Sequence, residues 1–220
     1  MKVLKVFALL LAVVGVFPVT VALSGESAVF SNERFVQRLL DGNRRYADGK
    51  PSHPNQTLER RKQVTKGQHP FAVVLSCSDS RVPPEIIFDQ GLGDLFVVRV
   101  AGNIVDDAGL GSIEYAVEHL HASLIVVLGH ERCGAVEAAV KGGEAPGRIK
   151  SLVEAIRPAV EEAKGEPGDL AENAMRANVK RVVHHLKTSK PILKQFVHKG
   201  TLTVVGARYG LDDGQVTVIP

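Results

Sequence analysis

Apolar residues along the chain alternate between two regimes. Residues 71–77 (FAVVLSC), 95–100 (LFVVRV), 123–130 (SLIVVLGH) and 201–209 (TLTVVGARY) are short, β-branched and almost continuously apolar. Such runs suit strands buried on both faces, as in a parallel sheet. Between the second and third, GLGSIEYAVEHLHA carries Ile113, Ala116, Val117 and Leu120 at helical spacing. Between the third and fourth, helical patterns run over 134–141, 149–164 and 170–188, the last continuing after Pro191. Upstream, SNERFVQRLLDGNRRYADGK puts Phe35, Val36, Leu39 and Leu40 on one helical face, with Asn32 as the expected cap and Gly49 as the stop. That face can cover the core of its own subunit. A polar linker with Pro51 and Pro54 leads to a short helix expected near 57–65. The closing YGLDDGQVTVI predicts a turn at Asp213-Gly214 and a last, antiparallel edge strand.

Strands alternating with helices predict an α/β fold: a mainly parallel β-sheet flanked by helices, with an antiparallel edge strand and an N-terminal helical arm. No internal repeat or composition shift divides residues 25–220, so a single domain is expected there. In such sheets ligands bind off the carboxyl ends of the strands. Cys77 and His130 close the first and third runs, so both are expected at that end.

The first residues change the picture of where the protein works. Lys2 and Lys5 precede an uncharged apolar stretch from Val6, followed by small residues, which is the pattern of a secretory signal over 1–24. Ala22 or Ser24 suits the position before the cut. The competing reading is an uncleaved anchor, which Gly15, Pro18 and Thr20 weaken. No cysteine follows the apolar stretch and no twin arginine precedes it, so export by the general route to the periplasm or medium is expected, without stable membrane association after cleavage. The formal charge is +3, two units of it in the signal, and there is no Trp and no basic run interleaved with aromatics. A nucleic-acid partner is therefore not expected.

The chain has only two cysteines, Cys77 and Cys133. The second lies in LGHERCGAV, three residues after His130. Two thiolates and an imidazole at strand ends make a zinc donor set that leaves a fourth tetrahedral position open. The helix opening after Cys133 favours its thiolate. In an exported chain the same cysteines also allow a Cys77–Cys133 disulfide and no metal. Asp79 and Arg81 stand two and four residues past Cys77. At alternate positions their side chains point the same way, so a bidentate ion pair is expected, either orienting Asp79 beside the metal or merely bridging the surface. His119, His121, His184 and His185 lie at spacings that diverge on a helix, and His53, His69 and His198 read as solvated.

CSDSRVPPE, FVVRVAGN, SIEYAV and GHERCGAV, in that order and spacing, resemble a β-class carbonic anhydrase from about Phe35 to the C-terminus. The resemblance implies one Zn2+ per subunit on Cys77, His130 and Cys133, and a catalytic dyad of Asp79 and Arg81. It implies a CO2 and bicarbonate pocket of Gln68, Phe96, Tyr115 and the Gly134 backbone, with Gln68 reaching the substrate from a partner subunit. A homodimer or larger homo-oligomer is therefore expected. The implied reaction is reversible hydration of CO2 by hydroxide on zinc, with bicarbonate and a proton as products. The three-histidine site of another carbonic anhydrase class is the usual reference, with a bound-water pKa of about 7. Two thiolates make a weaker Lewis acid, so ionisation above 7 is expected here. Some members carry a regulatory bicarbonate site of Trp, Arg and Tyr. Its tryptophan position falls at Val74, while Arg99 and Tyr209 match the other two. The resemblance is therefore to the plant-type branch, which is not expected to be switched by bicarbonate. The competing readings are a zinc hydrolase of carbon disulfide or carbonyl sulfide, and a non-catalytic exported α/β binding protein stapled by the disulfide.

Overall fold

A computed structural model describes residues 23–220, with side chains from Asn32 onward. The signal expected over 1–24 thus lies outside the described residues except for its last two positions. The four apolar runs form parallel strands β1 (Ala72–Ser76), β2 (Leu95–Arg99), β3 (Leu124–His130) and β4 (Thr203–Tyr209). The last strand, β5 (Val216–Ile219), pairs antiparallel with β4 at the edge, and the order is β2-β1-β3-β4-β5. The burial of each strand follows from that order. Central β1 and β3 are buried at every position, whereas edge strand β2 is half-buried.

Among the described residues eight helices flank the sheet: α1 (Leu23–Ala47), α2 (Leu58–Val64), α3 (Pro84–Ile87), α4 (Asp107–Glu118), α5 (Gly134–Lys141), α6 (Ile149–Ala163), α7 (Leu170–Thr188) and α8 (Ile192–His198). Capping explains several boundaries. Thr57, Asp106 and Asp169 each accept a backbone N–H of the first turn they open. Asn32 is not the cap expected for α1. The helix starts earlier, and buried Asn32 spends its side-chain amide on Thr203 Oγ1, 3.0 Å away on the sheet. The apolar face of α1 covers its own subunit: Leu39 is buried, and the Phe35 and Phe71 rings stand 5.2 Å apart.

Helix α7 rests directly on the sheet because β3 and β4 present glycines to it. A Cβ at Gly129 would stand 2.6 Å from Val179, and one at Gly206 would stand 2.7 Å from the same side chain. This close approach brings Glu172 and Asn178 to the carboxyl end of the strands.

One buried carboxylate ties the N-terminal arm to the body. Asp89 accepts from Arg45 Nε (2.7 Å), Ser52 N (2.9 Å), Ser52 Oγ (2.8 Å) and His53 N (2.9 Å). Burial pushes its pKa up, but the hydrogen bonds from Ser52, Arg45 and His53 outweigh burial and bring it down to about 2. Asp89→Asn keeps the shape but turns two N–H groups toward donors. It will cost about 3 kcal/mol in urea unfolding and leave zinc content unchanged. The lowered pKa sets the sign of the acid response. Asp89 contributes its full stability above the ordinary carboxyl range, near about pH 4, and loses it as pH falls through 2.

Candidate metal centre and active site

The register that sets Ser76 opposite Leu128 brings Cys77, just past β1, and His130, the last residue of β3, to the same end of adjacent strands. Cys133 takes the N-cap position of α5 three residues later. The two sulfurs stand 4.0 Å apart, and the donor atoms of the three residues all lie within 4.8 Å of one another. All three residues are buried.

The polar surroundings fix which atoms face the cluster. His130 Nδ1 lies 2.8 Å from the Glu131 carbonyl, which can only accept, so Nδ1 carries the proton. Nε2 is buried with no partner among the described residues. Cys77 Sγ accepts from Gly102 N (3.2 Å) and Asp79 N (3.4 Å). The Cys133 thiol donating to Cys77 lowers the Cys77 pKa against the opposing effect of burial. The same shared proton, together with burial, raises that of Cys133. Of the two thiols, that of Cys77 is therefore the more readily ionised, and it lies beside the unpartnered imidazole nitrogen. Two sulfurs and a free imidazole nitrogen make a zinc donor set. Two sulfurs about 2.3 Å from one tetrahedral zinc ion would stand about 3.8 Å apart. A disulfide needs about 2.05 Å, and both cysteines are free, so the residues fit the metal and not the staple.

Asp79 and Arg81 form the expected bidentate pair. Arg81 Nε and Nη2 donate to the two Asp79 oxygens at 2.9 and 2.7 Å, and Arg81 N adds a third bond at 2.9 Å. The guanidinium holds the Asp79 carboxyl down at about 2 against mild burial, so the group is ionised throughout the neutral range. Gly134, first in α5, is exposed, and open space lies where a Cβ would sit. Its N–H belongs to the helix's free N-terminal amides.

Gln68, Phe96 and Tyr115 are not brought to this cluster within one chain. Phe96 sits opposite Val73, four residues and about 13 Å along the strand before Cys77. Gln68 is exposed off the other end of β1. Tyr115 is half exposed on α4, its ring 5.2 Å from that of His119. The three regulatory positions also do other work. Val74 is wholly buried in β1, Tyr209 pairs its hydroxyl with that of Tyr46 at 3.2 Å, and Arg99 donates to the Cys77 and Asp79 carbonyls at 3.0 and 2.6 Å.

A family model described as carbonic anhydrase matches residues 72–216. The chain is similar to the carbonic anhydrase of Mycolicibacterium smegmatis, 46% identical over 182 residues that span 81% of this chain and 88% of that protein. It is similar to carbonic anhydrase 2 of Mycobacterium tuberculosis, 43% identical over 184 residues, 82% and 89% of the two chains. Among solved structures, the β-carbonic anhydrase CcaA matches with a TM-score of 0.67 at 30% identity, covering 84% of this chain and 95% of that one. The chain belongs to the β-carbonic anhydrase family. The carbonic anhydrase fold expected from the sequence is the one observed, and reversible CO2 hydration with Zn2+ is its activity.

Three residues that support this carbonic anhydrase site had been given no such role from the sequence. Gly102 lies in a 3-10 turn (Ala101–Asn103) at φ +71°, where a Cβ would meet Ile156 at 2.6 Å. Glycine there lets the backbone N–H reach the Cys77 sulfur. The glycine in RVAGN was the available signal. Asn178 on α7 donates to the Gly102 carbonyl at 2.8 Å, and Arg99 holds the Cys77–Asp79 backbone. Asn178 carried no local sequence cue, and Arg99 was matched only to the regulatory position.

Proposed function

We propose that this β-carbonic anhydrase hydrates CO2 at the cluster of Cys77, His130 and Cys133, with Asp79 and Arg81 as its dyad and each site completed by a second subunit. The observation that carries this is the buried, unpartnered Nε2 of His130 facing two free sulfurs. Zinc bound there supplies the Lewis acidity that makes hydroxide from water at moderate pH. Arg81 fixes the Asp79 carboxylate as an acceptor that orients the proton of the attacking oxygen. The Gly134 amide, at the positive end of α5, steadies negative charge developing on the CO2 oxygen.

Stopped-flow CO2 hydration by protein lacking residues 1–24 tests the reading. Two thiolates cancel the charge of the dication, so turnover will rise from pH 7 to pH 8.5. Zinc-loaded protein that ignores CO2 while cleaving carbon disulfide or carbonyl sulfide would overturn it.

The placement of Gln68, Phe96 and Tyr115 away from their own chain's cluster supports a homo-oligomer in which these residues face a neighbour's site. Gln68→Ala will lower kcat/KM about tenfold to a hundredfold. Mixed with Cys77→Ser protein, it will recover about a quarter of wild-type activity, because half of random dimers carry one intact composite site. An active monomer by light scattering would remove this part of the reading. Export with cleavage near residue 24, leaving residues 25–220 as one domain, is supported by the lysines and apolar stretch at the N-terminus. The N-terminal mass of protein recovered outside the cytoplasm checks it.

A further inference from the structure

The turn that carries two of the metal donors is tied down by charged groups that take no part in binding the metal. Glu131, between His130 and Cys133, is held at three points. Its N–H donates to the Tyr209 carbonyl at 3.1 Å. One carboxylate oxygen accepts from Leu211 N at 2.9 Å, and the other accepts from Arg208 on β4. Arg208 is itself fixed from the far side, its Nε donating to Glu172 of α7 at 2.6 Å. Glu172 also accepts from Arg176 at 2.8 Å. The result is a row of alternating charge, Arg176–Glu172–Arg208–Glu131, that ends on the peptide whose carbonyl accepts the His130 Nδ1 proton.

The Glu131 carboxylate is held by a guanidinium and a backbone amide. The row borders a cavity of about 410 Å³ lined also by Cys133, Val136 and Met175, so the carboxylate has room to move once those bonds are lost. The next residue, Arg132, has φ +48°, a conformation uncommon outside glycine. An unanchored turn has reason to relax from it, and relaxation would rotate the Glu131 carbonyl away from Nδ1.

We propose that Glu131 and Arg208 are positioning residues for His130: by fixing the Glu131 carbonyl they hold the proton on Nδ1 and leave Nε2 aimed at the metal position. The proposal rests on the zinc reading of the cluster. It adds that metal affinity depends on a carboxylate–guanidinium pair donated partly by β4.

The test compares zinc-loaded proteins by chelator competition and by the solvent exchange of the His130 Nδ1 proton in NMR. Glu131→Ala and Arg208→Met will each weaken zinc binding about tenfold to a hundredfold and speed that exchange. Glu131→Gln still offers an oxygen to Leu211 N or Arg208, and it will recover affinity to within about threefold of wild type. Arg181→Met, which breaks a remote pair with Glu162, controls for losing an ion pair as such and will change neither readout. Should Glu131→Ala not fold, Arg208→Met and Glu131→Gln decide the matter. Affinity within about twofold of wild type in Arg208→Met, or an equal loss in Arg181→Met, overturns the proposal while leaving the zinc site intact. Wild-type protein that binds no zinc overturns both.

Discussion

His130→Ala will fold, lose its zinc, and hydrate CO2 at least about a thousandfold more slowly than wild type. Folding should survive because of what His130 does in the isolated chain. Its one hydrogen bond goes to the adjacent carbonyl of Glu131, and Nε2 satisfies nothing inside the protein. Removing the ring deletes an unpaired buried polar atom along with some packing at the end of β3. The metal site suffers far more. Two sulfurs alone give a two-coordinate position beside an enlarged hole, and a third protein ligand is what holds zinc at a catalytic site. The sulfurs, left 4.0 Å apart, then need to approach by only about 2 Å to form a disulfide once an oxidant is present. Metal analysis, circular dichroism and thiol titration on one preparation separate these effects. A variant that is folded, retains one zinc and keeps more than about a tenth of wild-type turnover would remove His130 from the donor set.

The parts of this protein that were legible in its sequence are those whose cause is local. The four apolar runs all became parallel strands, fully buried in the central β1 and β3, and β5 follows from the Asp213-Gly214 turn. Helices α5 and α7 keep the bounds their patterns set, with Asp169 capping the second. Elements of three or four residues, α3 and the turn at Ala101–Asn103, are too short for any period to register. Asn32 looks like a cap because its chemistry suits one. It is overruled by Thr203, a partner 171 residues away that only the fold supplies.

The site divides along the same line. Cys77, His130 and Cys133 could be placed together because each stands at or just past the end of an apolar run. Gly102 and Asn178 act on one another across 76 residues, and nothing near either announces the contact. Gln68, Phe96 and Tyr115 came from family resemblance alone. Their separation from the cluster within one chain shows why no spacing rule would have found them.

Arg81→Leu will keep zinc and lose about a hundredfold in kcat. The dyad is half exposed at its arginine, so the pair adds little to folding and the melting curve will barely move. What Arg81 does is restrain a carboxylate. Asp79 follows Cys77 by two residues and is ionised at neutral pH, and among the described residues its carboxylate oxygens are held by the three bonds from Arg81. Without them the nearest cation-binding position is the one the donor set leaves open, and a carboxylate is an ordinary fourth ligand for zinc. Asp79 then competes with water for that position, so activity falls while metal affinity holds or rises. The competition gives the variant a second signature. Hydroxide displaces a carboxylate more readily as its concentration grows, so the deficit against wild type will narrow from pH 7 to pH 9. Asp79→Asn in the Arg81→Leu background removes the competing charge and serves as the internal check: it will restore access for water but not the oriented acceptor. Zinc loss in Arg81→Leu would show that the arginine supports the donor set, and a deficit that stays constant with pH would show that it acts on the substrate rather than on Asp79.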